Sequence, residues 1–289
     1  MGYVLPEDVD RRPVAVVGAG TLGRRIAAVL AAGGTDVRIT DTSAEQRESA
    51  REHAVAAIED VHRAMGMDST GRGTVAAVAE LEEALAGAWL VVEAVPERLD
   101  VKTAVFGRLD RLAEPDAVLA SNSSSIPTSQ VIGEVTRPER VLNTHFQSPP
   151  EHNAVELMSC GRTDPAVVDA LMAWLPRYGL VPFRVRRESD GFIFNRIWAA
   201  IKRECLMVVE EGVAAPEDVD LMWQLFTRPG TPPFRLMDVV GLDVVLAIEE
   251  HYAAVREGIP EGPRRLLREH IDQGRLGRKS GSGFYDDYG

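Results

Sequence analysis

Cysteine is scarce in this sequence. Its 289 residues include two cysteines, Cys160 and Cys205, and they do not form a CxxC pair. A disulfide framework or a cysteine-based zinc site needs more cysteines at closer spacing. The histidines other than His145 show no spacing typical of metal ligands. We therefore expect neither a disulfide framework nor a metal centre.

Long apolar runs and an excess of positive charge are also missing. No run approaches the ~18 apolar residues of a membrane-spanning helix. Residues 1–12 carry Glu7, Asp8 and Asp10 where a secretory signal would be apolar. The net charge of −12 disfavours a nucleic-acid backbone as partner, although a small anionic ligand is not excluded. These absences predict a cytoplasmic protein that binds neither membrane nor nucleic acid.

The first two thirds of the chain alternate between strand-like and helix-like segments. Short apolar runs at 14–17, 37–41, 89–95, 117–120, 140–143 and 180–185 are typical of buried strands, and the segments 23–33, 44–65, 101–112 and 126–135 are predicted to be helical. Such alternation indicates a parallel sheet with helices on both faces. From residue 189 the pattern changes to helix and turn, starting with a long helix at 192–211. We predict a domain boundary there, dividing the chain into 1–188 and 189–289.

A glycine-rich turn follows the first predicted strand. Gly18-Ala-Gly20-Thr21-Leu22-Gly23 is a G-x-G-x-x-G that opens a helix, and Asp41 ends the next strand. In this context the glycines allow a tight turn and a close approach of the backbone to a pyrophosphate, which the helix N-terminus attracts. An acid at the position of Asp41 can accept hydrogen bonds from ribose hydroxyls and would repel a 2′-phosphate. The motif therefore predicts a Rossmann-type doubly wound domain that binds NAD in preference to NADP, unless Arg38 or Arg24 reaches the 2′ position.

Three polar segments carry candidate catalytic groups. They are 121–125, 143–156 and 191–196, and a cleft between two domains would bring them together. Oxidation of an alcohol by a nicotinamide needs a base for the hydroxyl proton, and histidine suits this near neutral pH. A carboxylate behind the ring would fix its tautomer. His145 and Glu156 fit these roles, with Ser124 and Asn195 holding the reacting oxygen.

With these residues in place, the chain resembles the 3-hydroxyacyl-CoA dehydrogenase family over nearly its whole length. Seven motifs occur in the family's order: the glycine motif, Val92-Glu-Ala-Val-Pro-Glu97, Ser-Asn-x-Ser-Ser from Ser121, His145-Phe, Gly-Phe-Ile-x-Asn-Arg from Gly191, Val240-Gly-Leu-Asp243, and the segment Leu276–Tyr285. The resemblance implies that Ser124, His145, Glu156 and Asn195 are catalytic. It also implies that Glu97, Lys102 and Asn122 contact the cofactor. No metal is implied.

The resemblance has departures near the predicted catalytic histidine. The family's usual His-Phe-Phe-Asn-Pro is here His145-Phe-Gln-Ser-Pro149, so that Ser148 replaces an asparagine, and the interval to Glu156 is one residue shorter. The helix after Asp41 also lacks the lysines expected where coenzyme A phosphates dock, and its cations are Arg47, Arg51 and Arg63. The sequence thus supports oxidation of an alcohol more strongly than it supports coenzyme A as the acyl carrier.

We accordingly expect NAD-dependent oxidation of an (S)-3-hydroxyacyl-CoA thioester, a reaction of fatty acid metabolism. Three alternatives stay open: a free 3-hydroxy acid as in carnitine or gulonate 3-dehydrogenases, a hydroxyacyl group on a carrier protein, and a non-catalytic NAD-binding or structural protein. The double proline Pro149-Pro150 is shared with the free-acid enzymes. We expect residues 1–188 to bind NAD. We expect residues 189–289 to bind substrate and to form a homodimer, and the apolar helices 192–209 and 234–248 are the reason for predicting the dimer.

Overall fold

The structure of the chain is a computed structural model that describes residues 3, 6–68, 71–227 and 232–288. The chain divides between Ile193 and Phe194 into two compact units. The assignment of residues 1–188 to NAD binding and of 189–289 to substrate binding and dimerisation stays a prediction. Among the described residues, none of the helices combines the length and apolar character needed to cross a bilayer.

A single mixed sheet lies at the centre of the first unit. Its eight strands, counted within the described residues, are β1 (Val14–Val17), β2 (Val37–Thr40), β3 (Val75–Ala77), β4 (Leu90–Glu93), β5 (Val118–Ser121), β6 (Val141–Ser148), β7 (His152–Ser159) and β8 (Val181–Val185). Their spatial order is β3-β2-β1-β4-β5-β6-β7-β8. All neighbours are parallel except β6 and β7, which pair antiparallel.

Helices cover both faces of this sheet. They are α1 (Thr21–Ala32), α2 (Ala44–Ala64), α3 (Leu81–Leu85), α4 (Leu99–Leu112) and α5 (Pro165–Trp174). Alternate residues of β1 point to opposite faces, as the pleat requires: Val14 and Val16 join one apolar cluster with Ile26 of α1. Ala15 and Val17 join another, which contains Phe106 of α4. The predicted doubly wound fold is confirmed, because the parallel strands run in the order β3-β2-β1-β4-β5-β6 and helices cover both faces.

The structure contains elements that the sequence did not predict, and it lacks one predicted helix. The strands β3 and β7 and the helices α3 and α5 were not predicted, and β7 makes the sheet mixed rather than wholly parallel. The predicted helix at 126–135 is instead two short 3-10 helices, Thr128–Gln130 and Ile132–Glu134. A tertiary contact explains this, since Asn143 Oδ1 of β6 accepts hydrogen bonds from both the backbone N and the Oγ1 of Thr128. Local periodicity cannot reveal such a contact.

The second unit is helical, as predicted. Its described helices are α6 (Phe194–Glu210), α7 (Pro216–Thr227), α8 (Pro233–Val240), α9 (Leu242–Val255) and α10 (Gly262–Asp272). They enclose a separate apolar core that includes Leu206, Phe234 and Leu267. The buried carboxylate of Asp238 accepts hydrogen bonds from the backbone N atoms of Phe284 and Tyr285, and so holds the C-terminal segment against α8.

Candidate active site

The glycine motif forms the turn between β1 and α1. Gly18 has φ of +110°, and a Cβ there would lie 2.5 Å from the carbonyl of Ala94. A Cβ on Gly23 would lie 1.9 Å from the carbonyl oxygen of Gly18, so these two positions accept only glycine. At Gly20, by contrast, a Cβ would meet nothing within 4 Å. The open space above Gly20, at the N-terminus of α1, fits the pyrophosphate of a dinucleotide.

Asp41 stands directly after β2, beside this turn. Its Oδ2 accepts a hydrogen bond from the backbone N of Ala19 at 2.9 Å, and its Oδ1 accepts one from the backbone N of Ser43 at 2.9 Å. These bonds hold the carboxylate next to the glycine turn, where the ribose of a dinucleotide lies in this fold. Arg38 donates to the carbonyl oxygens of Glu83 and Ala86, so its guanidinium is held at the C-terminal end of α3.

A buried polar network lies at the ends of β4 and β5. The Lys102 ammonium of α4 is 2.7 Å from Glu93 Oε1 and 3.2 Å from Glu97 Oε2. Burial alone would raise the pKa of Glu97, but the charge of Lys102 and hydrogen bonds from Ser123 and Ser125 outweigh it and hold that pKa below its usual value. Glu97 and Lys102, two of the predicted cofactor contacts, are therefore held in position by one network of ion pairs and hydrogen bonds.

His145 and Glu156 form a hydrogen-bonded pair across β6 and β7. They are directly opposite in the antiparallel register, and His145 Nδ1 lies 2.8 Å from Glu156 Oε2. Both side chains are buried, with 7% and 3% exposure. The second carboxylate oxygen, Oε1, accepts a hydrogen bond from the backbone N of Ile193 at 2.7 Å, and the ring of Phe192 packs on the imidazole. The carboxylate is thus fixed from two sides, and it holds Nδ1 as the protonated ring nitrogen.

Gln147 is a functional candidate that the sequence reasoning missed. Its Nε2 donates to Glu156 Oε2 at 3.0 Å, the same oxygen that accepts from His145. Nε2 also lies 3.3 Å from His145 Nδ1, but two donors cannot bond each other, so the carboxylate is the acceptor. The signal was present in the sequence, because Gln147 occupies a position where the related motif has phenylalanine.

A pocket of about 330 Å³ brings half of the predicted site residues of the first unit together. Ten residues line it: Leu22, Ala94, Val95, Glu97, Lys102, Asn122, Ser124, His145, Phe146 and Gln147. Asn122 is oriented by a hydrogen bond that its Oδ1 accepts from the backbone N of Phe146. The backbone N of Ser124 donates to Glu97 at 3.1 Å. The pocket therefore combines an imidazole, a hydroxyl and an amide, which suits the binding of a small polar substrate beside a nicotinamide.

Asn195 belongs to the second unit, where it is the second residue of α6. Its predicted catalytic role therefore stays a prediction. The arginines of α2 are engaged locally: Arg47 donates to the carbonyl oxygen of Asp41, and Arg51 and Arg63 pair with Glu48 and Asp60. They do not form the free cationic cluster that a phosphate clamp needs. Ser148 accepts a hydrogen bond from Arg25 of α1.

Two models of one protein family match this chain over most of its length. The family model described as 3-hydroxyacyl-CoA dehydrogenase, NAD binding domain, matches residues 13–189, and the C-terminal domain model of the same family matches residues 191–287. The 5-formyl-3-hydroxy-2-methylpyridine 4-carboxylate 5-dehydrogenase of Mesorhizobium japonicum is 32% identical over 280 residues, covering 95% of this chain and 90% of that protein.

Two further similarities concern hydroxybutyryl-CoA enzymes. The probable 3-hydroxybutyryl-CoA dehydrogenase of Bacillus subtilis is 32% identical over 286 residues, covering 96% of this chain and 98% of that protein. The crystal structure of (S)-3-hydroxybutyryl-CoA dehydrogenase from Ralstonia eutropha superposes with a TM-score of 0.83 at 29% identity, covering 95% and 98% of the two chains. The chain therefore belongs to the 3-hydroxyacyl-CoA dehydrogenase family and is an NAD-dependent oxidoreductase.

Proposed function

We propose that this enzyme oxidises an (S)-3-hydroxyacyl thioester of coenzyme A to the 3-oxoacyl thioester, with His145 as the general base. The observation that carries the proposal is the 2.8 Å contact between His145 Nδ1 and Glu156 Oε2 beside the pocket. With Nδ1 protonated and held by the carboxylate, Nε2 is the nitrogen that can accept the proton of a substrate hydroxyl. The family membership of the chain and the presence of this pair support His145 as the base that alcohol oxidation requires.

The remaining residues have supporting roles in this proposal. NAD, when bound, accepts the hydride from the alcohol carbon. His145 takes the hydroxyl proton, and Glu156 stabilises the imidazolium that forms. Ser124 and Asn195 donate hydrogen bonds to the substrate oxygen, which keeps the carbon and the base in a reactive geometry. In reduction the same imidazolium returns its proton to the oxygen.

The cofactor is proposed to lie along the N-terminus of α1 and the ends of β1, β2 and β4. The backbone of the turn would hold the pyrophosphate, and Asp41 would accept hydrogen bonds from the ribose. The nicotinamide end would reach the polar network and Asn122. The proposed cofactor-binding residues are Gly18, Gly20, Thr21, Leu22, Gly23, Asp41, Glu97, Lys102 and Asn122.

A free hydroxy acid is the second candidate substrate, and the engaged arginines of α2 favour it. Arg51 pairs with Glu48, and Arg47 donates a hydrogen bond to the carbonyl oxygen of Asp41, so this helix offers coenzyme A phosphates fewer free donors than a cluster of lysines would. The Mesorhizobium relative is named for a pyridine carboxylate, a substrate that is not a thioester. If the substrate is a group bound to a carrier protein, or if the protein binds NAD without catalysis, neither kind of small substrate would be turned over.

We also propose a homodimer formed through the second unit. α7 presents Leu221, Met222, Leu225 and Phe226 with exposures of 57%, 58%, 65% and 82%. A helix with such a face is normally covered by another surface. A second copy of the chain is the proposed partner, because the same face recurs on each copy and a two-fold axis can pair them.

Reduction of acetoacetyl-CoA tests the proposed function. We expect NADH oxidation in the presence of acetoacetyl-CoA, followed by absorbance, and almost none with the His145→Ala variant. Free acetoacetate is the control substrate, because it has the same acyl group as acetoacetyl-CoA but lacks coenzyme A. Reduction of acetoacetate but not of acetoacetyl-CoA would replace the thioester proposal by the free-acid one. Tight NADH binding without turnover of either would indicate a non-catalytic protein.

A further inference from the structure

A fully buried carboxylate, Glu93, lies behind the residues that line the pocket. Its Oε1 accepts hydrogen bonds from the backbone N of Val95 at 2.8 Å and from Lys102 Nζ at 2.7 Å. Its Oε2 accepts one from Ser121 Oγ at 2.6 Å. All three partners donate, which is the environment that an ionised carboxylate requires. Glu93 therefore carries a negative charge, although it is not among the residues that line the pocket.

The ammonium of Lys102 is shared between two carboxylates. It lies 2.7 Å from Glu93 Oε1 and 3.2 Å from Glu97 Oε2, and it donates to the carbonyl oxygen of Val95 at 3.2 Å. These acceptors match the three hydrogens of an ammonium. Glu97 is ionised at neutral pH, because its pKa is held below the usual value. The network of Glu93, Lys102 and Glu97 therefore has a net charge of about −1.

This charge lies at the wall of the pocket. Glu97 and Lys102 line it, and of the ten described residues that do so, Lys102 alone carries a permanent positive charge. A cavity of about 330 Å³ is roughly 9 Å across, so a charged group bound inside it lies within about 10 Å of the network. With an effective dielectric constant of about 20 to 40, one unit charge at that distance changes a dissociation constant by about 5- to 15-fold.

The two forms of the cofactor differ in the charge of the nicotinamide ring. The ring of NAD⁺ carries one positive charge, and the ring of NADH carries none, because the hydride adds two electrons and one proton. A negative charge near the ring therefore stabilises the oxidised form and has little effect on the reduced form. Contacts to the pyrophosphate and the riboses are common to both forms, so they cancel in the ratio of the two dissociation constants.

We propose that Glu93 makes the nicotinamide site anionic and so strengthens the binding of NAD⁺ relative to NADH. The inference rests on the proposed placement of the nicotinamide end at this network and Asn122, and it does not depend on which alcohol is oxidised. Without the charge of Glu93, the ammonium of Lys102 would be balanced by Glu97 alone, and the network would be neutral. Glu93 is thus a positioning residue that acts through Lys102, and it favours the cofactor form that oxidises an alcohol.

Glu93→Gln removes this charge and keeps the shape of the side chain. The new amide oxygen can accept from Val95 and Lys102, and the amide nitrogen can donate to the hydroxyl of Ser121, which is free to rotate. Glu97→Gln removes an equal charge from a side chain that is 38% exposed. It therefore decides the question if Glu93→Gln does not fold. Glu93→Asp keeps the charge and is the conservative variant.

The measurement is the ratio of the dissociation constants of NAD⁺ and NADH, obtained by calorimetric titration at pH 7 without substrate. We expect Glu93→Gln and Glu97→Gln each to raise the ratio Kd(NAD⁺)/Kd(NADH) by about 5- to 15-fold. Glu93→Asp should stay within about threefold of the wild type, because the network keeps its charge. A tenfold rise in the ratio corresponds to a rise of about 30 mV in the midpoint potential of the bound cofactor.

Asp110→Asn is the matched control. Asp110 is also a buried carboxylate in an ion pair, with Arg140 at 2.9 Å. It lies on α4 eight residues beyond Lys102, about 12 Å along the helix axis. Loss of its charge should change the ratio by less than about threefold, because the charge is farther from the pocket. An effect as large as that of Glu93→Gln would show that loss of any buried ion pair is sufficient, and would overturn the inference.

A double variant separates charge from structure. Glu93→Gln combined with Lys102→Met removes one charge of each sign, and Glu97 then supplies the same net charge as in the wild type. The ratio should return to within about threefold of the wild-type value, even though both affinities change with the loss of Lys102. A structural role of Glu93 predicts no such return, because a second buried group has been removed.

The outcomes distinguish this inference from the proposed function. An unchanged ratio in Glu93→Gln and Glu97→Gln, equal weakening of NAD⁺ and NADH, or a double variant that does not restore the ratio would overturn the inference and leave the proposed function standing. The expected ratios in a protein that reduces neither acetoacetyl-CoA nor acetoacetate would support the inference although the proposed function fails. A wild type that binds neither cofactor would refute both.

Discussion

His145 and Glu156 are paired residues of neighbouring antiparallel strands, with Nδ1 and Oε2 2.8 Å apart. Their contact is set by strand register, which the backbone hydrogen bonds of β6 and β7 fix. The register shifts between Phe146 and Ser148, on the turn side of this pair. The pair is formed here although the interval between the two residues is one shorter than in the related motif.

Removing the imidazole should abolish most turnover. We expect His145→Ala to lower kcat by about 100-fold or more, the range for loss of a general base, while NADH affinity stays close to that of the wild type. Glu156→Gln should also lower kcat, because the amide cannot stabilise the imidazolium. Steady-state kinetics and NADH fluorescence titration measure the two effects. Near-normal turnover of His145→Ala would show that another group is the base.

Gln147 should act on the reaction through Glu156. Gln147→Leu removes one donor to Oε2, and we expect kcat to fall by about tenfold with little change in KM, the size of a hydrogen bond to a charged group. Gln147→Glu keeps the shape but places two carboxylates together, which disfavours ionisation of both. It should therefore be the more damaging variant. The idea would be wrong if the glutamate variant had wild-type kcat.

The enzyme should bind NADH much more tightly than NADPH. Asp41 carries a negative charge where a 2′-phosphate would lie, and Arg38 is held by the carbonyl oxygens of Glu83 and Ala86. Fluorescence titration with both reduced cofactors measures the preference. Asp41→Ser should reduce the preference for NADH over NADPH, mainly by weakening NADH binding. Equal affinities in the wild type would contradict the role of Asp41 and would direct attention to Arg24.

The proposed dimer should depend on α7. An aspartate at position 226 would place a charge in a contact that the exposed Phe226 is proposed to fill, so we expect Phe226→Asp to shift the protein to monomer. Val55→Asp is the matched control, because Val55 is an exposed valine on α2, in the first unit. Light scattering at micromolar concentration measures the mass. A wild type that is already monomeric would refute the dimer.

Stability should depend on pH through Lys202, a buried lysine of α6. Burial lowers its pKa from 10.5 to about 8 in the folded chain, so between these values the unfolded chain binds more protons and stability rises with pH. Below about pH 8 the cost of the buried ammonium is fully present. Lys202→Met should therefore unfold at a higher temperature than the wild type at pH 7, and the difference should shrink toward pH 10. Thermal unfolding of both proteins across this range measures it, and a constant difference would contradict the burial of a charged lysine.

The sequence was sufficient where function depends on short, local patterns. Clear apolar runs mark the strands next to the turn from Gly18 to Gly23 and next to Asp41. The spacing of these features therefore predicted the nucleotide-binding fold. His145 and Glu156 were predicted from the chemistry of alcohol oxidation and from the order of motifs, and their catalytic role stays a prediction. The sequence did not predict the hairpin that joins these two residues, in which β7 runs antiparallel in an otherwise parallel sheet. A strand that begins with His152 and Asn153 has no strong apolar pattern.

Contacts between residues distant in the chain were decided by tertiary structure alone. Gln147 was visible as a departure from the related motif, but its hydrogen bond to Glu156 exists only once β6 and β7 are paired. The burial of Lys202 on the inner face of α6 is apparent only in the folded chain, where that face packs into the second unit. Composition and periodicity specify which side chains a chain possesses and how they recur. Which charges are neutralised, and which remain for a ligand, depends on packing between elements that the sequence order does not show.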